Sequence, residues 1–71
     1  MPYVHIRITR EGVSAEQKAA LIAQTTQTLV RVLGKDPATT FVVIEEVETD
    51  SWGIAGETVS QRRARSKEAR A

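Results

Sequence analysis

The sequence lacks cysteine altogether and contains a single histidine, His5. The lack of cysteine excludes a disulfide framework, and together with the single histidine it excludes a structural metal site built from cysteine and histidine. The chain has 71 residues, which allow one domain with a thin hydrophobic core. Because neither a disulfide nor such a metal site stabilises so small a domain, we expect stability to come from self-association.

Long hydrophobic runs are also missing. No stretch approaches the roughly 20 apolar residues that a membrane-spanning helix needs, and no signal-peptide pattern is present. We therefore expect a soluble, cytoplasmic protein without a membrane partner. The lack of cysteine is compatible with a reducing compartment.

Charge is distributed unevenly along the chain, although the formal net charge is only +1. Residues 1–60 carry five basic and eight acidic side chains, a net charge of −3, whereas residues 61–71 carry five basic and one acidic, a net charge of +4. A basic tail can bind nucleic acid, but more often it is a solvated terminus. We predict one domain over residues 1–60 and a poorly ordered basic tail over 61–71, without nucleic acid as a partner.

The first residues alternate between apolar and polar side chains, which predicts a β-strand with Val4, Ile6 and Ile8 on one face. Pro2 lies directly before this strand. Its position alone favours a strand start, where the missing N–H of proline does no harm. If Met1 is removed, however, Pro2 gains a free secondary amine that is anchored to a rigid strand and can act as a base.

An amphipathic helix is predicted over residues 15–33, which contain no glycine or proline and carry apolar side chains at helical spacing. Ser14 and Gln17 have the spacing of a capping box at its start. Gly34 stands where a left-handed C-cap belongs, and Asp36-Pro37 prevents continuation of the helix.

A second strand is predicted over residues 40–47, where the apolar run is nearly continuous and suits a strand covered on both faces. A strand, a long helix and another strand predict a right-handed βαβ crossover with parallel strands. The segment 49–57 contains two glycines and predicts a small hairpin. We expect Trp52, within it, to pack on a partner subunit or to line a pocket.

These features, in this order and spacing, resemble the 4-oxalocrotonate tautomerase family of the tautomerase superfamily. The matching segments are Pro2 after Met1, the strand 4–8, the helix start 14–18 and the segment 52–57. The resemblance covers roughly residues 2–63. It implies an α+β fold, with a parallel βαβ unit and a short C-terminal hairpin. It also implies that two units form a four-stranded sheet in a dimer, and that three dimers form a homohexamer.

The resemblance further implies an isomerase, a keto–enol tautomerase that needs no cofactor or metal. Pro2, after removal of Met1, would be the general base that moves a proton in an unsaturated 2-hydroxy or 2-oxo acid. Burial among apolar groups disfavours a charged amine and lowers its pKa towards neutral pH, where a base is most useful.

Two other functions stay open. Relatives on the same scaffold hydrate or dehalogenate unsaturated acids, which typically requires an acidic residue to activate water. Glu45 and Glu46 are adjacent, hence on opposite faces of a strand, which argues against a paired-carboxylate site. His5 is expected to be a polar-face strand residue rather than a catalytic group. The second alternative is a non-enzymatic oligomer that uses its basic tail to bind an anionic partner.

The chain departs from the family at two positions. The best-known members place one arginine after the loop glycine and another early in the second strand, where a guanidinium can bind a substrate carboxylate or polarise a carbonyl. Here the first position is Val13 and the second is Phe41 or Val42. Both expected arginines are therefore absent.

Five other residues are predicted to contact substrate: Trp52, Arg10, Phe41, Thr39 and Arg63. Trp52 replaces the usual phenylalanine and would narrow the pocket, which Phe41 would help to line. Arg10 could supply a cation from the lengthened loop. Arg63 lies near a family position that carries arginine and could reach a neighbouring subunit's pocket. Thr39 or Thr40 could donate a hydroxyl to a substrate oxygen. The alternative interpretation is that the arginines are solvated surface charges and that the threonines belong to a turn or a strand start.

Overall fold

The computed structural model describes the backbone of residues 1–70 and the side chains of residues 1–66. The elements are β1 (Tyr3–Thr9), α1 (Ala15–Leu33), β2 (Phe41–Val47), β3 (Gly53–Ile54), β4 (Glu57–Thr58) and α2 (Val59–Arg70). Two 3-10 turns, Pro37–Thr39 and Thr49–Ser51, precede and follow β2. This is the predicted α+β architecture.

The central sheet consists of β1 and β2, which run parallel and are joined by α1. Tyr3 lies opposite Phe41, and the register continues to Thr9 opposite Val47. Strands β3 and β4 form a separate antiparallel pair. The predicted βαβ unit with parallel strands and the predicted hairpin are both confirmed.

Helix α1 begins and ends where the capping residues predict. The Ser14 hydroxyl accepts a hydrogen bond from the Gln17 N–H over 3.1 Å, and the Gln17 side chain accepts one from the Ser14 N–H over 2.9 Å. Gly34 adopts a left-handed φ of 66° and donates its N–H to the Val30 carbonyl. In the described part of the chain, neither helix is long and apolar enough to cross a membrane.

One face of the sheet is covered by α1 and the other is not. The inner face carries every second residue of β2, namely Val42, Ile44 and Glu46. Glu46 contacts Lys18 of α1. The outer face leaves Tyr3 63% exposed, Phe41 49% and Val43 44%. Within a single chain, therefore, the expectation that β2 is covered on both faces holds for one face only.

The side chains of one copy form almost no core of their own. Among the residues whose burial is described, Val59 alone is buried, with 7% of its surface exposed. Apolar side chains on the outer sheet face remain available to a second copy. Association would remove this surface from water, which is the main favourable contribution to protein association.

Residues 61–70, which the sequence assigns to a basic tail, continue α2 from Val59 to Arg70. Thr58 and Gln61 form a reciprocal cap, in which each side chain accepts a hydrogen bond from the other residue's N–H over 3.0 Å. Arg65 also binds both carboxylate oxygens of Glu57, at 2.6 and 2.7 Å. Ala71 lies outside the described residues.

Candidate active site

Pro2 lies at the amino-terminal end of β1, where β2 holds it. Its carbonyl accepts a hydrogen bond from the Phe41 N–H over 3.0 Å, and the residue is half-buried. The backbone of Pro2 is therefore fixed beside the first residue of β2. Removal of Met1 would place the proline amine at this fixed position.

The turn before β2 lies at the same end of the sheet as Pro2. The Thr39 hydroxyl donates to the Asp36 carbonyl over 3.3 Å, and the Thr40 hydroxyl donates to the same oxygen over 2.9 Å. Both hydroxyls thus stabilise the turn while their oxygens can still accept a hydrogen bond. The structure brings Pro2, Phe41 and this threonine pair to one end of the protomer.

The remaining predicted site residues lie at the carboxyl ends of β1 and β2. Arg10 follows β1, Trp52 follows β2, and Arg63 of α2 packs at the same end. Because the two strands are parallel, this end lies opposite Pro2. Seven residues of β1 separate the two ends, or roughly 20 Å at the rise of an extended strand. One chain therefore contains two separated groups of predicted site residues.

A cleft of about 460 Å³ opens at the end away from Pro2. Its lining comprises Thr9, Trp52, Ile54, Val59, Arg62, Arg63 and Ser66. The last four recur at i, i+3, i+4 and i+7 along α2, so they share one face of that helix. Trp52, which is half-buried, lines this cleft; the sequence predicts that it lines a pocket or packs on a partner subunit.

Arg62 and Ser66 are lining residues that the sequence did not single out. The signal that would have found them is the helical spacing from Val59, which is visible only if residues 59–70 are assigned to a helix. The Thr58–Gln61 cap, a threonine followed three residues later by glutamine, marks that helix in the sequence.

The two arginines predicted to bind substrate are engaged in ion pairs within the chain. Arg10 donates to Glu48 and lies 3.8 Å from the Glu46 carboxylate. Arg63 donates to Glu11 over 2.7 Å. A hydrogen bond from the Thr9 hydroxyl, followed by the hydrogen bond and charge of Arg63, lowers the pKa of Glu11 below its ordinary value of 4.5.

Val13, at the position of the first missing arginine, does not contribute to the cleft. It lines a shallow groove on α1 with Gln17, Ala20, Leu21 and Gln24. Phe41, at the position of the second, lies beside Pro2 with half of its surface exposed. Neither side chain can replace a cation.

The charged groups of the central sheet are divided between its two faces. His5 and Arg7 both contact the Glu45 carboxylate on the outer face, at 3.0 and 2.8 Å. Glu46 faces α1, where the Lys18 ammonium donates to it over 2.7 Å. The alternation therefore separates the two glutamates as predicted. Among the described residues, no group of three or more His, Asp or Glu side chains could hold a metal ion.

Comparison with known proteins identifies the family. A family model described as "Tautomerase enzyme" matches residues 2–62. The chain belongs to the tautomerase family. A probable tautomerase, K2, from Dickeya dadantii is 67% identical over 63 residues, which are 89% of this chain and 94% of the relative. A 2-hydroxymuconate tautomerase from Comamonas testosteroni is 43% identical over 79% of this chain and 87% of its own.

Solved structures agree with this family assignment. DmpI from Helicobacter pylori is 35% identical and superposes with a TM-score of 0.83, over 89% of this tautomerase and 97% of DmpI. A heterohexameric 4-oxalocrotonate tautomerase from Chloroflexus aurantiacus is 26% identical with a TM-score of 0.77, over 86% and 97% of the two chains. The predicted resemblance to the 4-oxalocrotonate tautomerase family is confirmed.

Two statements follow for this tautomerase. It is an isomerase, since its family and its relatives are named tautomerases. The heterohexameric relative, together with the exposed apolar face of the sheet, supports self-association.

Proposed function

We propose that this tautomerase uses the Pro2 amine, freed by removal of Met1, as the general base that isomerises unsaturated 2-hydroxy and 2-oxo acids. The observation that carries the proposal is the hydrogen bond from the Phe41 N–H to the Pro2 carbonyl. It anchors the residue whose nitrogen would accept the proton, and the proline ring restricts the direction of the nitrogen lone pair.

The proposed reaction moves one proton and needs no oxidant or cofactor. In a 2-hydroxy-2,4-dienoate, the amine nitrogen takes the proton of the C2 hydroxyl. The O–H electron pair becomes the second bond of a C2 carbonyl, and the double bonds shift so that C3 and C4 are joined by one. C5 then takes the proton from the ammonium, and the amine is regenerated.

A second copy would complete the site. Among the strands that the structure describes, β1 pairs with β2 along one edge only, so its other edge is open to another strand. Antiparallel pairing of two β1 edges about a two-fold axis at Ile6 would set Tyr3 of one copy opposite Thr9 of the other. Pro2 of each copy would then lie beside the cleft of its neighbour, where Trp52 and Ile54 supply an apolar surrounding.

This pairing would form a four-stranded sheet in each dimer. The outer faces of such dimers would carry the exposed apolar side chains. Packing of three dimers through these faces would bury Tyr3, Phe41 and Val43 in a homohexamer. The proposed active site is accordingly formed between copies, with Pro2, Phe41 and Thr39 from one and Trp52, Arg10 and Arg63 from another.

Enol assays with phenylenolpyruvate and 2-hydroxymuconate test the proposal. We expect ketonisation by the mature protein, and a fall in kcat/KM of about 10- to 100-fold for Pro2→Ala, which keeps a terminal amine but loses the proline ring. Full activity of Pro2→Ala would contradict the proposal. Halide release from 3-chloroacrylate without enol turnover would instead assign the scaffold to dehalogenation.

A further inference from the structure

The cleft at the carboxyl end of the sheet contains two arginines with different partners. Arg63 donates to Glu11 over 2.7 Å, so its charge is balanced within the chain. Arg62, which is half-buried, has no acidic group within 4.0 Å among the side chains that the structure describes. Of these two cations, Arg62 is the one available to an external anion.

The surroundings of Arg62 favour an anion that also carries an apolar part. Trp52, Ile54 and Val59 form the apolar wall of the cleft, and Ser66 follows Arg62 by four residues on the same face of α2. An apolar wall excludes water and strengthens the field of a nearby charge. Ser66 supplies a hydroxyl that can donate to a second oxygen of the same anion.

We propose that Arg62 binds the carboxylate of the unsaturated acid in this cleft and so replaces the two arginines that the chain lacks. The identity of the acid rests on the function proposed above. A guanidinium presents a planar fork of N–H donors that matches the two oxygens of a carboxylate. The carbon chain of the substrate lies against Trp52, and its enol end lies towards Pro2 of a neighbouring copy.

A role in holding the carboxylate has a distinct kinetic signature. The carboxylate keeps its charge through the proton transfer, so Arg62 contributes equally to ground-state and transition-state binding. Its loss should therefore raise KM and leave kcat within about threefold. Replacement of the carboxylate by a neutral methyl ester should make wild type and Arg62→Gln equal in kcat/KM.

Binding can be measured without catalysis, because Trp52 is the single tryptophan of the chain and lines the cleft. The experiment titrates the mature oligomer with 2-oxoadipate, a saturated 2-oxo acid that stays in its keto form at equilibrium, and follows tryptophan fluorescence. We expect saturable binding by wild type and an increase in Kd of at least about tenfold for Arg62→Gln, as for loss of a charge-assisted hydrogen bond.

Arg65→Gln is the matched control, because it removes an arginine of the same helix that is paired with Glu57 and does not line the cleft. We expect it to change Kd by less than about threefold, and Arg62→Lys to fall between wild type and Arg62→Gln. Circular dichroism and size-exclusion chromatography establish that each variant keeps its helices and its assembly. Equal Kd for wild type and Arg62→Gln, or a larger loss for Arg65→Gln, would overturn the proposal.

The failure of this inference can be distinguished from the failure of the proposed function. Unchanged binding in Arg62→Gln, beside enol turnover that depends on Pro2, would overturn the role of Arg62 alone. Loss of 2-oxoadipate binding in Arg62→Gln, beside a wild type inactive on every enol tested, would support the carboxylate site and contradict the proposed reaction.

Discussion

The Phe41 N–H donates to the Pro2 carbonyl over 3.0 Å, so the first residue of β2 fixes the residue proposed to carry the catalytic amine. This bond extends the parallel ladder by one residue beyond Tyr3. The ladder is also extended at the opposite end, where the Arg10 N–H donates to the Val47 carbonyl over 2.8 Å. Both proposed halves of the site are thus attached to the ends of the same rigid two-stranded unit.

The outer face of the sheet should be an interface between copies. Val43→Glu places a carboxylate on this face, two residues from Glu45, where a packed interface would leave both desolvated. We expect smaller assemblies than wild type, measured by size-exclusion chromatography with light scattering. Gln27→Glu, at an exposed position of α1, adds the same charge and should leave the mass unchanged. A wild-type mass for Val43→Glu would contradict this interface.

The left-handed C-cap of α1 should be sensitive to a side chain at Gly34. Its φ is 66°, and a Cβ there would meet nothing within 4 Å, so the cost of Gly34→Ala is conformational rather than steric. We expect a loss of about 1 kcal/mol in the free energy of unfolding, measured by chemical denaturation at fixed protein concentration. Gly53→Ala is the control, since Gly53 does not have a positive φ. An equal loss for both would contradict this explanation.

The Lys18–Glu46 pair should contribute stability that depends on pH. The hydrogen bond from Lys18 is the largest cause that lowers the pKa of Glu46 below its ordinary value of 4.5 in the folded protein. A lowered folded pKa means that the contribution is fully present above the unfolded pKa and is lost as the pH falls through the folded pKa.

Comparison of wild type with Glu46→Gln by thermal unfolding tests this pH dependence. We expect wild type to melt at the higher temperature at pH 7, and the difference to shrink as the pH falls below about 4.5. The measurement below the folded pKa of Glu46 is an internal control, because the side chain at position 46 is then uncharged in both proteins. A difference that stays constant from pH 7 to pH 3 would show that packing, not charge, distinguishes the two proteins.

Much of the fold could be predicted because its signals are local. Three signals act over a few residues each and have the predicted role in the structure: the capping pair Ser14 and Gln17, the C-cap Gly34, and the alternation before Thr9. The sequence does not predict helix α2 by its composition, because five basic side chains in the last eleven residues are typical of a solvated tail. The cap between Thr58 and Gln61 is equally local, and it is the sequence signal for the start of this helix.

The candidate site was less predictable because it depends on which charges meet in space. Arg10 and Arg63 were singled out by their place along the chain, but Glu48 and Glu11 pair with them across long sequence separations. Such pairing is set by the fold and cannot be deduced from spacing. The separation of Pro2 from Trp52, in contrast, follows directly from two parallel strands and could have been predicted.

Removal of Met1 tests the central claim most directly. The measurement pairs the intact mass of the oligomer with kcat/KM on phenylenolpyruvate, for protein with Met1 removed and for protein that retains it. A retained Met1 converts the Pro2 amine into an amide, which cannot accept the proton. We predict a loss of about 10²- to 10⁴-fold in the retained form, the usual contribution of a general base. Full activity in protein whose mass shows complete retention of Met1 would contradict the account.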